Sequence, residues 1–345
     1  MSAPVLRVAT RGSALALAQS GAVAARLATL TGASVELVRV STTGDTDRRA
    51  LTVIGGSGVF VGAVRAAVLD GRADIAVHSF KDLPTAPAEG LVVGAVPPRE
   101  DPRDALVARD GLTLDELPDG ARIGTGSPRR AVQLLAHARA LGRTWRVEPV
   151  RGNVDTRLAA VGAGFDAVVV AAAGLARLGR AGEATQVLRP AVMLPAPAQG
   201  ALAVEAAALA PAWLVDGLAG LDDAAAHAAA VAERAVLAEL GAGCSAPVGA
   251  LALCVDGSAE AGAAGVELTA LVATGDGARV WRAAASGQRA AAVEVGRDAA
   301  RQLLAGGAGE LPGIDRPGGT ADRHGPGSSD DSGAQHMSGV GGRLR

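Results

Sequence analysis

The segment Ala121-Arg-Ile-Gly-Thr-Gly-Ser-Pro-Arg-Arg130 changes period halfway along, and that change decides the fold. Residues 121–124 read as a short apolar strand, Thr125-Gly126-Ser127-Pro128 as a turn, and residues 129–141 repeat their apolar positions with helical spacing. Ser127 is a residue type that caps helices, and Pro128 suits the first helical position, where the N–H has no partner to lose. The same punctuation recurs on either side. Residues 5–9 alternate as a strand, Thr10-Arg11-Gly12-Ser13 turns, and residues 14–30 are helical. Residues 145–150 form a strand, Arg151-Gly152-Asn153 turns, and residues 154–161 are helical. Residues 73–77 make a strand that runs into His78-Ser79-Phe80-Lys81-Asp82 before Pro84 breaks the chain, and residues 166–171 lead to a helix over 174–178. Strands alternating with helices predict an α/β fold with mostly parallel sheets covered on both faces.

Two crossings divide this pattern. Pro97-Pro98-Arg99-Glu100-Asp101-Pro102 leads out of one α/β unit, and Leu194-Pro195-Ala196-Pro197-Ala198-Gln199-Gly200 leads back. The expected organisation is a first α/β domain over 1–97 with 201–219 and a second over 98–200. A small α+β domain follows over 221–305, built from an alanine-rich helix, alternating strands and a closing helix. From 306 to 345 Gly, Pro, Ser and Asp dominate, a composition that predicts a disordered tail with no core.

Composition removes several classes of function. With 49% apolar and 20% charged residues, the 345-residue chain is expected to fold as a soluble, multidomain protein. Its 33 basic and 35 acidic groups leave a net charge of −2, without the positive excess of a nucleic-acid binder. No apolar run approaches the roughly 20 residues of a membrane span. Arg11, Gln19 and Arg26 interrupt the one stretch that imitates an export signal, so a cytoplasmic location with reduced thiols is expected. The two cysteines cannot frame a disulfide scaffold, and the five histidines lack metal-ligand spacing, so no metal site is expected.

The chain is saturated with Ala, Gly, Arg and Val, which makes its rare residues informative. Lys81 is the single lysine among 33 basic residues, and Asn153 the single asparagine. An ammonium is a compact point charge and a guanidinium a planar fork, so a site that needs the first cannot drift to the second without loss. Arg11, Arg129, Arg130, Arg151 and Arg157 stand beside Gly or Ser where strands give way to helices, with Ser13, Thr125 and Ser127 as hydroxyl donors. Such positions collect ligands in open α/β sheets, and arginine forks pair with carboxylate or phosphate. Their repetition points to a ligand with several anionic groups. The plainer alternative is that arginine replaces lysine across this surface. Asp82 is the odd charge in such a cleft, suited to stabilising a cation or an N–H donor better than to acting as a neutral acid. Ile54-Gly-Gly-Ser-Gly-Val-Phe60 lacks the Lys-Ser/Thr ending of a phosphate-binding loop and reads as a lid with Phe60 at its tip. Cys254 lies in the apolar strand Leu251-Ala-Leu-Cys-Val255 and is expected to be buried and inert. Cys244 sits in a Gly/Pro loop, where a thiol is accessible as a nucleophile or an attachment point.

With these residues assembled, the chain resembles the hydroxymethylbilane synthase (porphobilinogen deaminase) family. The resemblance is carried, in order, by Arg11-Gly-Ser-Ala-Leu-Ala-Leu17, Ala73-Asp-Ile-Ala-Val-His-Ser-Phe-Lys-Asp-Leu-Pro84, Arg99-Glu-Asp-Pro-Arg-Asp-Ala105, Gly124-Thr-Gly-Ser-Pro-Arg-Arg130, Arg151-Gly-Asn-Val-Asp-Thr-Arg157, Ala173-Gly-Leu-Ala-Arg-Leu-Gly179, Pro197-Ala-Gln-Gly-Ala201 and Gly243-Cys-Ser-Ala-Pro-Val-Gly249. It implies two domains like a periplasmic binding protein with a cleft between them, and a third presenting Cys244. It further implies a dipyrromethane cofactor on Cys244 through a thioether, four porphobilinogen units added head to tail with loss of ammonia, and hydrolytic release of a linear tetrapyrrole. By the same resemblance Asp82 is catalytic. Ser79, Lys81, Thr125, Ser127, Arg129, Arg130, Arg151 and Arg157 hold the cofactor, while Arg11, Ser13, Gln19, Arg177 and Gln199 hold substrate or the growing chain. A monomer is implied. Where many members carry lysines in the lid, this chain has Val53 and Ser57. The competing reading is a non-catalytic, two-lobed anion-binding protein, which needs the arginines but neither Asp82 nor Cys244.

Overall fold

The computed structural model describes residues 3–40, 58–243, 246–256 and 264–314, with 58–60 described by backbone alone. The described strands fall into three sheets. The first contains β1 (Val5–Arg11), β2 (Ser34–Val40), β3 (Ile75–Ser79), β4 (Leu91–Ala95) and, far later in the chain, β10 (Leu202–Ala207), in the order β2-β1-β3-β10-β4. Alternation along β1 and β3 separates two cores. Leu6, Val8, Ile75 and Val77 pack with α1 (Ala14–Thr31) and α6 (Ala212–Leu221). Ala9 and Ala76 face the other way, against Val64, Ala67 and Val68 of α2 (Gly58–Leu69). Ser13 caps α1 by accepting the Ala16 N–H at 3.3 Å.

The second sheet repeats this plan. It holds β5 (Asp104–Ala108), β6 (Arg122–Gly124), β7 (Arg146–Glu148), β8 (Ala167–Ala171) and β9 (Gln186–Val187) in the order β7-β6-β8-β5-β9. Its helices are α3 (Pro128–Ala140), α4 (Val154–Leu158) and α5 (Ala172–Arg177). Asn153 caps α4 by accepting the Thr156 N–H at 2.9 Å. Ser127 occupies the cap position of α3, but its side chain makes no cap bond.

Both sheets are mixed, where the alternating pattern predicts mostly parallel ones. β10 runs antiparallel to β3 and β4, and β5 antiparallel to β8 and β9. The physical reason is the route of the chain. β5 and β10 each enter their sheet straight from a proline-rich crossing, without the crossover helix that a parallel neighbour requires. The crossings touch back to back: Gly200, at φ +87°, lies where a Cβ would come 2.3 Å from the Glu100 carbonyl oxygen. Only glycine fits both the left-handed backbone and the contact.

The third sheet is the antiparallel meander β11 (Val248–Val255), β12 (Gly265–Ala273) and β13 (Val280–Gln288). Alternate residues of these strands share a core with α7 (Ala224–Glu239) and α8 (Ala292–Ala305). The two helices approach so closely that a Cβ on Gly296 would meet the Ala232 carbonyl oxygen at 2.1 Å.

Gly306 as the start of a coreless tail is a boundary set too early. Trp281 Nε1 donates to the Gly306 carbonyl at 2.7 Å, and Ala308 and Ile314 are buried in the third core. Composition hid this, because two apolar side chains placed by a short turn leave no periodic signal. Ending the chain at Ala305 is therefore expected to cost about 1.5–3 kcal/mol for the Ile314 side chain alone. A chain ending at Ile314 keeps these contacts, and urea unfolding of the two truncations reads the difference. Equal midpoints would refute the assignment.

Candidate active site

β3 ends at Ser79, and the chain then makes a single 3₁₀ turn, Phe80–Asp82. Two apolar side chains set its orientation. Phe80 and Leu83 are buried with Ala198, Ala201, Ala226 and Ala230, and the Phe80 N–H donates to the Ala201 carbonyl at 3.0 Å. Anchoring those two residues inward turns Lys81 and Asp82 to the opposite side, where Lys81 is half-buried and Asp82 exposed.

Lys81 Nζ donates to Gln199 Oε1 at 3.2 Å, and Gln199 Nε2 donates onward to Asp104 Oδ1 at 3.0 Å. Asp104, fully buried at the start of β5, is the hub of this network. Arg129 Nη1 donates to Asp104 Oδ2 at 2.7 Å and to the Leu194 carbonyl at 2.6 Å. Arg130 Nε and Nη2 donate to Asp104 Oδ1 at 2.9 and 2.8 Å, and Nη1 to the Val169 carbonyl at 2.9 Å. Burial alone would raise the Asp104 carboxyl, but the charges of Arg129 and Arg130 outweigh it and hold the group well below the usual carboxylate range. Burial pushes the Lys81 ammonium down to about 8; Asp82 and Asp104 oppose that fall, while Arg130 and Arg129 add to it.

The other sequence-derived candidates differ in what they meet. Gln19 and Arg157 act at the turn or its cap. Gln19, buried on α1, donates from Nε2 to Ser79 Oγ at 2.9 Å. Arg157 is half-buried at the end of α4, where burial lowers its pKa and the Asp82 charge opposes the shift. Asp82, just past the end of the central strand of the first sheet, and Arg157, beside the second sheet, thus share one field. Arg177 on α5 donates to the Gly200 carbonyl at 2.6 Å, and burial lowers its pKa also. Thr125 is buried, its Oγ1 accepting the Ser127 N–H at 3.2 Å, with Ser127 itself half-buried. Of the remaining candidates, Arg151 is exposed, Arg11 is half-buried at the end of β1, and Ser13 serves as a helix cap. Arg129 and Arg130, expected to hold the cofactor, and Gln199, expected to hold substrate or the growing chain, are built into the wall around Asp104 with 3%, 4% and 0% of their surface exposed. The attachment candidate Cys244, the Phe60 side chain and the lid positions Val53 and Ser57 lie outside the described residues. Cys254 is half-buried, with Sγ donating to the Ala225 carbonyl at 3.2 Å; burial raises its thiol pKa.

Four partners were not singled out from sequence. Besides Asp104, these are Arg99 and the adjacent Glu233 and Arg234 of α7. Glu233, with no exposed surface, takes both Nη1 and Nη2 of Arg99 at 2.7 and 2.9 Å. It also accepts the N–H groups of Ala198 and Ala252. One carboxylate thereby joins both crossings to β11. A signal existed for Asp104 and Glu233: an acid at the start of an apolar strand or inside an alanine-rich helix must meet a counter-charge if it is buried. Which cation it meets is not written locally. Behind the turn, Glu205 of β10 takes Arg65 Nη2 at 2.7 Å and lies 3.2 Å from His78 Nε2. Burial would raise the Glu205 carboxyl, but the nearby His78 ring and the two bonds from Arg65 bring it down to about 2. Among the described residues, no cluster of His, Cys, Asp and Glu could hold a metal ion, and no helix is long and apolar enough to cross a membrane.

Two mixed sheets with an arginine-lined wall at the ends of their strands, and one exposed carboxylate beside a lone lysine, define an α/β protein with its charged groups gathered at one site. Residues 6–212 match the family model "Porphobilinogen deaminase, dipyromethane cofactor binding domain", and residues 227–305 match "Porphobilinogen deaminase, C-terminal domain". The chain belongs to the porphobilinogen deaminase family. Porphobilinogen deaminase 1 of Streptomyces coelicolor is 52% identical over 319 residues, which is 91% of this chain and 99% of the relative. Porphobilinogen deaminase of Nocardia farcinica is 54% identical over 309 residues, 89% of this chain and 87% of the relative. Among solved structures, an ABC-transporter periplasmic substrate-binding protein from Coxiella burnetii aligns with a TM-score of 0.40 at 14% identity, covering 66% of this chain and 96% of its own.

Proposed function

We propose that the chain works as a hydroxymethylbilane synthase, condensing four porphobilinogen molecules head to tail on a dipyrromethane held through a thioether to Cys244. Ammonia leaves at each addition, and hydrolysis releases the tetrapyrrole. The observation that carries this reading is the Phe80–Asp82 turn, which presents an exposed carboxylate next to an ammonium tied through Gln199 to the Asp104 hub. The donor set suits the cofactor: each pyrrole ring bears an acetate and a propionate, and Lys81, Arg157 and Arg151, with Ser79, Thr125 and Ser127, can meet carboxylates with charge-assisted hydrogen bonds. The bound cofactor supplies the nucleophilic pyrrole carbon on which the chain grows.

The protein's own residues then have separable tasks. Arg11, Arg177 and Gln19 face the incoming ring and the lengthening polyacid. Arg129 and Arg130 act from within the wall, adding positive potential, and Gln199 fixes Lys81. Asp82 accepts N–H bonds from the reacting pyrrole and stabilises the cation left when ammonia departs, a charge already in place before the step. A cytoplasmic location fits the same reading, because the stretch that imitates an export signal is built into β1 and α1; a monomer is proposed on the resemblance alone.

The direct test is incubation of purified protein with porphobilinogen, expecting ammonia and a linear tetrapyrrole. Intact mass should show an adduct that Cys244→Ser removes. Bare polypeptide with undiminished anion binding would instead mark a two-lobed binder.

Lys81 adds a pH dependence. With its pKa lowered to about 8, the ammonium is charged below that pH and loses its proton as pH rises through it, so its hold on a carboxylate weakens on the alkaline side. Loading of the apo chain, followed by mass, is expected to slow above about pH 8. Lys81→Arg should load poorly throughout and lose that alkaline step, since a guanidinium stays protonated. Wild-type loading that stays level from pH 7 to 9.5 would remove the lysine from the site.

A further inference from the structure

Arg234 lies near the middle of α7, in the third structural unit, yet it bonds to the turn that follows β3 in the first. Arg234 Nη1 donates to the carbonyls of Phe80 and Leu83 at 3.1 and 2.9 Å, and Nη2 to that of Pro84 at 2.5 Å. The guanidinium carbon stands 4.6 Å from the centre of the Phe80 ring. Three carbonyls of one short segment thus converge on a single planar fork, and the ring below it limits the angle at which the fork can lie. The residues gripped are the two ends of the turn; Lys81 and Asp82 lie between them. The floor is continuous with this grip, because Ala226 and Ala230 of the same helix pack with Phe80 and Leu83. Next to Arg234, Glu233 fixes that helix to Arg99, Ala198 and Ala252. The fork therefore stands on a buried, pinned base.

We infer that Arg234 is a positioning residue for the reaction: it fixes the backbone that carries Asp82 and thereby sets where the carboxylate meets the reacting pyrrole. The inference rests on the function proposed above, but it concerns a residue that acts through the backbone of the turn and is assigned no contact with substrate or cofactor. A lysine at this position keeps the charge, yet a single ammonium cannot span three carbonyls in a fixed plane. A displacement of about 1 Å at the chemistry can cost on the order of 10²-fold in rate.

The test uses full-length, cofactor-loaded protein. Arg234→Lys is expected to lower kcat on the order of 10²-fold, with KM for porphobilinogen within about threefold and the cofactor adduct present by mass. A residue that acts only through Asp82 should add nothing further once Asp82 is neutralised. Single-turnover rates of Asp82→Asn and of Asp82→Asn with Arg234→Lys are therefore expected to coincide. Wild-type kcat in folded Arg234→Lys overturns the inference, as does an equal fractional loss in the two backgrounds. Should Arg234→Lys fail to fold, Phe80→Leu keeps the fork and removes its ring, and the same comparison applies: a kcat loss that vanishes in the Asp82→Asn background supports the inference, and an unchanged kcat overturns it. Wild-type protein run alongside separates the two claims: absence of tetrapyrrole there defeats the proposed function and the inference with it, whereas tetrapyrrole from wild type and an equal rate from folded Arg234→Lys defeats the inference alone.

Discussion

Asp82→Asn should fold and keep its stability within about 0.5 kcal/mol, yet lose tetrapyrrole formation by a factor on the order of 10²–10³. The first half follows from exposure: the carboxylate stands outside the cores that hold its turn, and Phe80 and Leu83 supply the anchoring. The second half follows from charge. An amide can still accept a hydrogen bond, but it cannot offer a full negative charge to the cation that appears when ammonia leaves. Quenched-flow measurement of ammonia release and circular dichroism of the same sample separate the two effects. Product formation at the wild-type rate would show that the carboxylate plays no part.

Asp104→Asn should behave in the opposite way, with stability failing first. The side chain lies fully buried between Arg129 and Arg130, so the variant leaves two guanidiniums in the interior without their counter-charge. Removing one partner of such a buried set costs about 3–5 kcal/mol, readable in urea unfolding. Acid sensitivity should change with it. A carboxyl whose folded pKa is depressed contributes stability above its unfolded value and loses that contribution as pH falls toward the folded one. For Asp104 the loss begins near 3.8 and extends well below the usual carboxylate range; for Glu205 it runs from 4.5 down to about 2. Wild-type protein is expected to unfold across that window, and Asp104→Asn, starting less stable, should lose less further stability within it. A variant as stable as wild type at pH 7 would show that the hub carries no structural weight. Because Gln199 bridges Asp104 and Lys81, the variant should also load cofactor less completely.

The two predictions mark where local reading succeeds. The strand-turn-helix units, the two proline-rich crossings, the lone lysine and the carboxylate beside it are all short-range patterns, so they can be read from adjacent residues. Sheet direction was missed because it depends on whether a strand arrives by way of a crossover helix, a matter of route. Arg129, Arg130 and Gln199 were legible as important residues but not as parts of the wall, since a fork open to solvent and one closed on a buried acid have the same local sequence. Arg234 gave no signal at all: its acceptors are backbone carbonyls some 150 positions away, and carbonyls occur at every residue.

What the sequence alone determined was the chemistry available: which residue types stand at strand ends, where the chain crosses, and the single ammonium among guanidiniums. The tertiary structure alone decided the allocation of those charges. Asp104 draws two arginines and a glutamine inward, Glu233 ties both crossings to the third sheet, and Asp82 remains exposed. The physical reason is that a buried charge must be met within a few ångströms, and only the packed chain brings partners from distant segments that close.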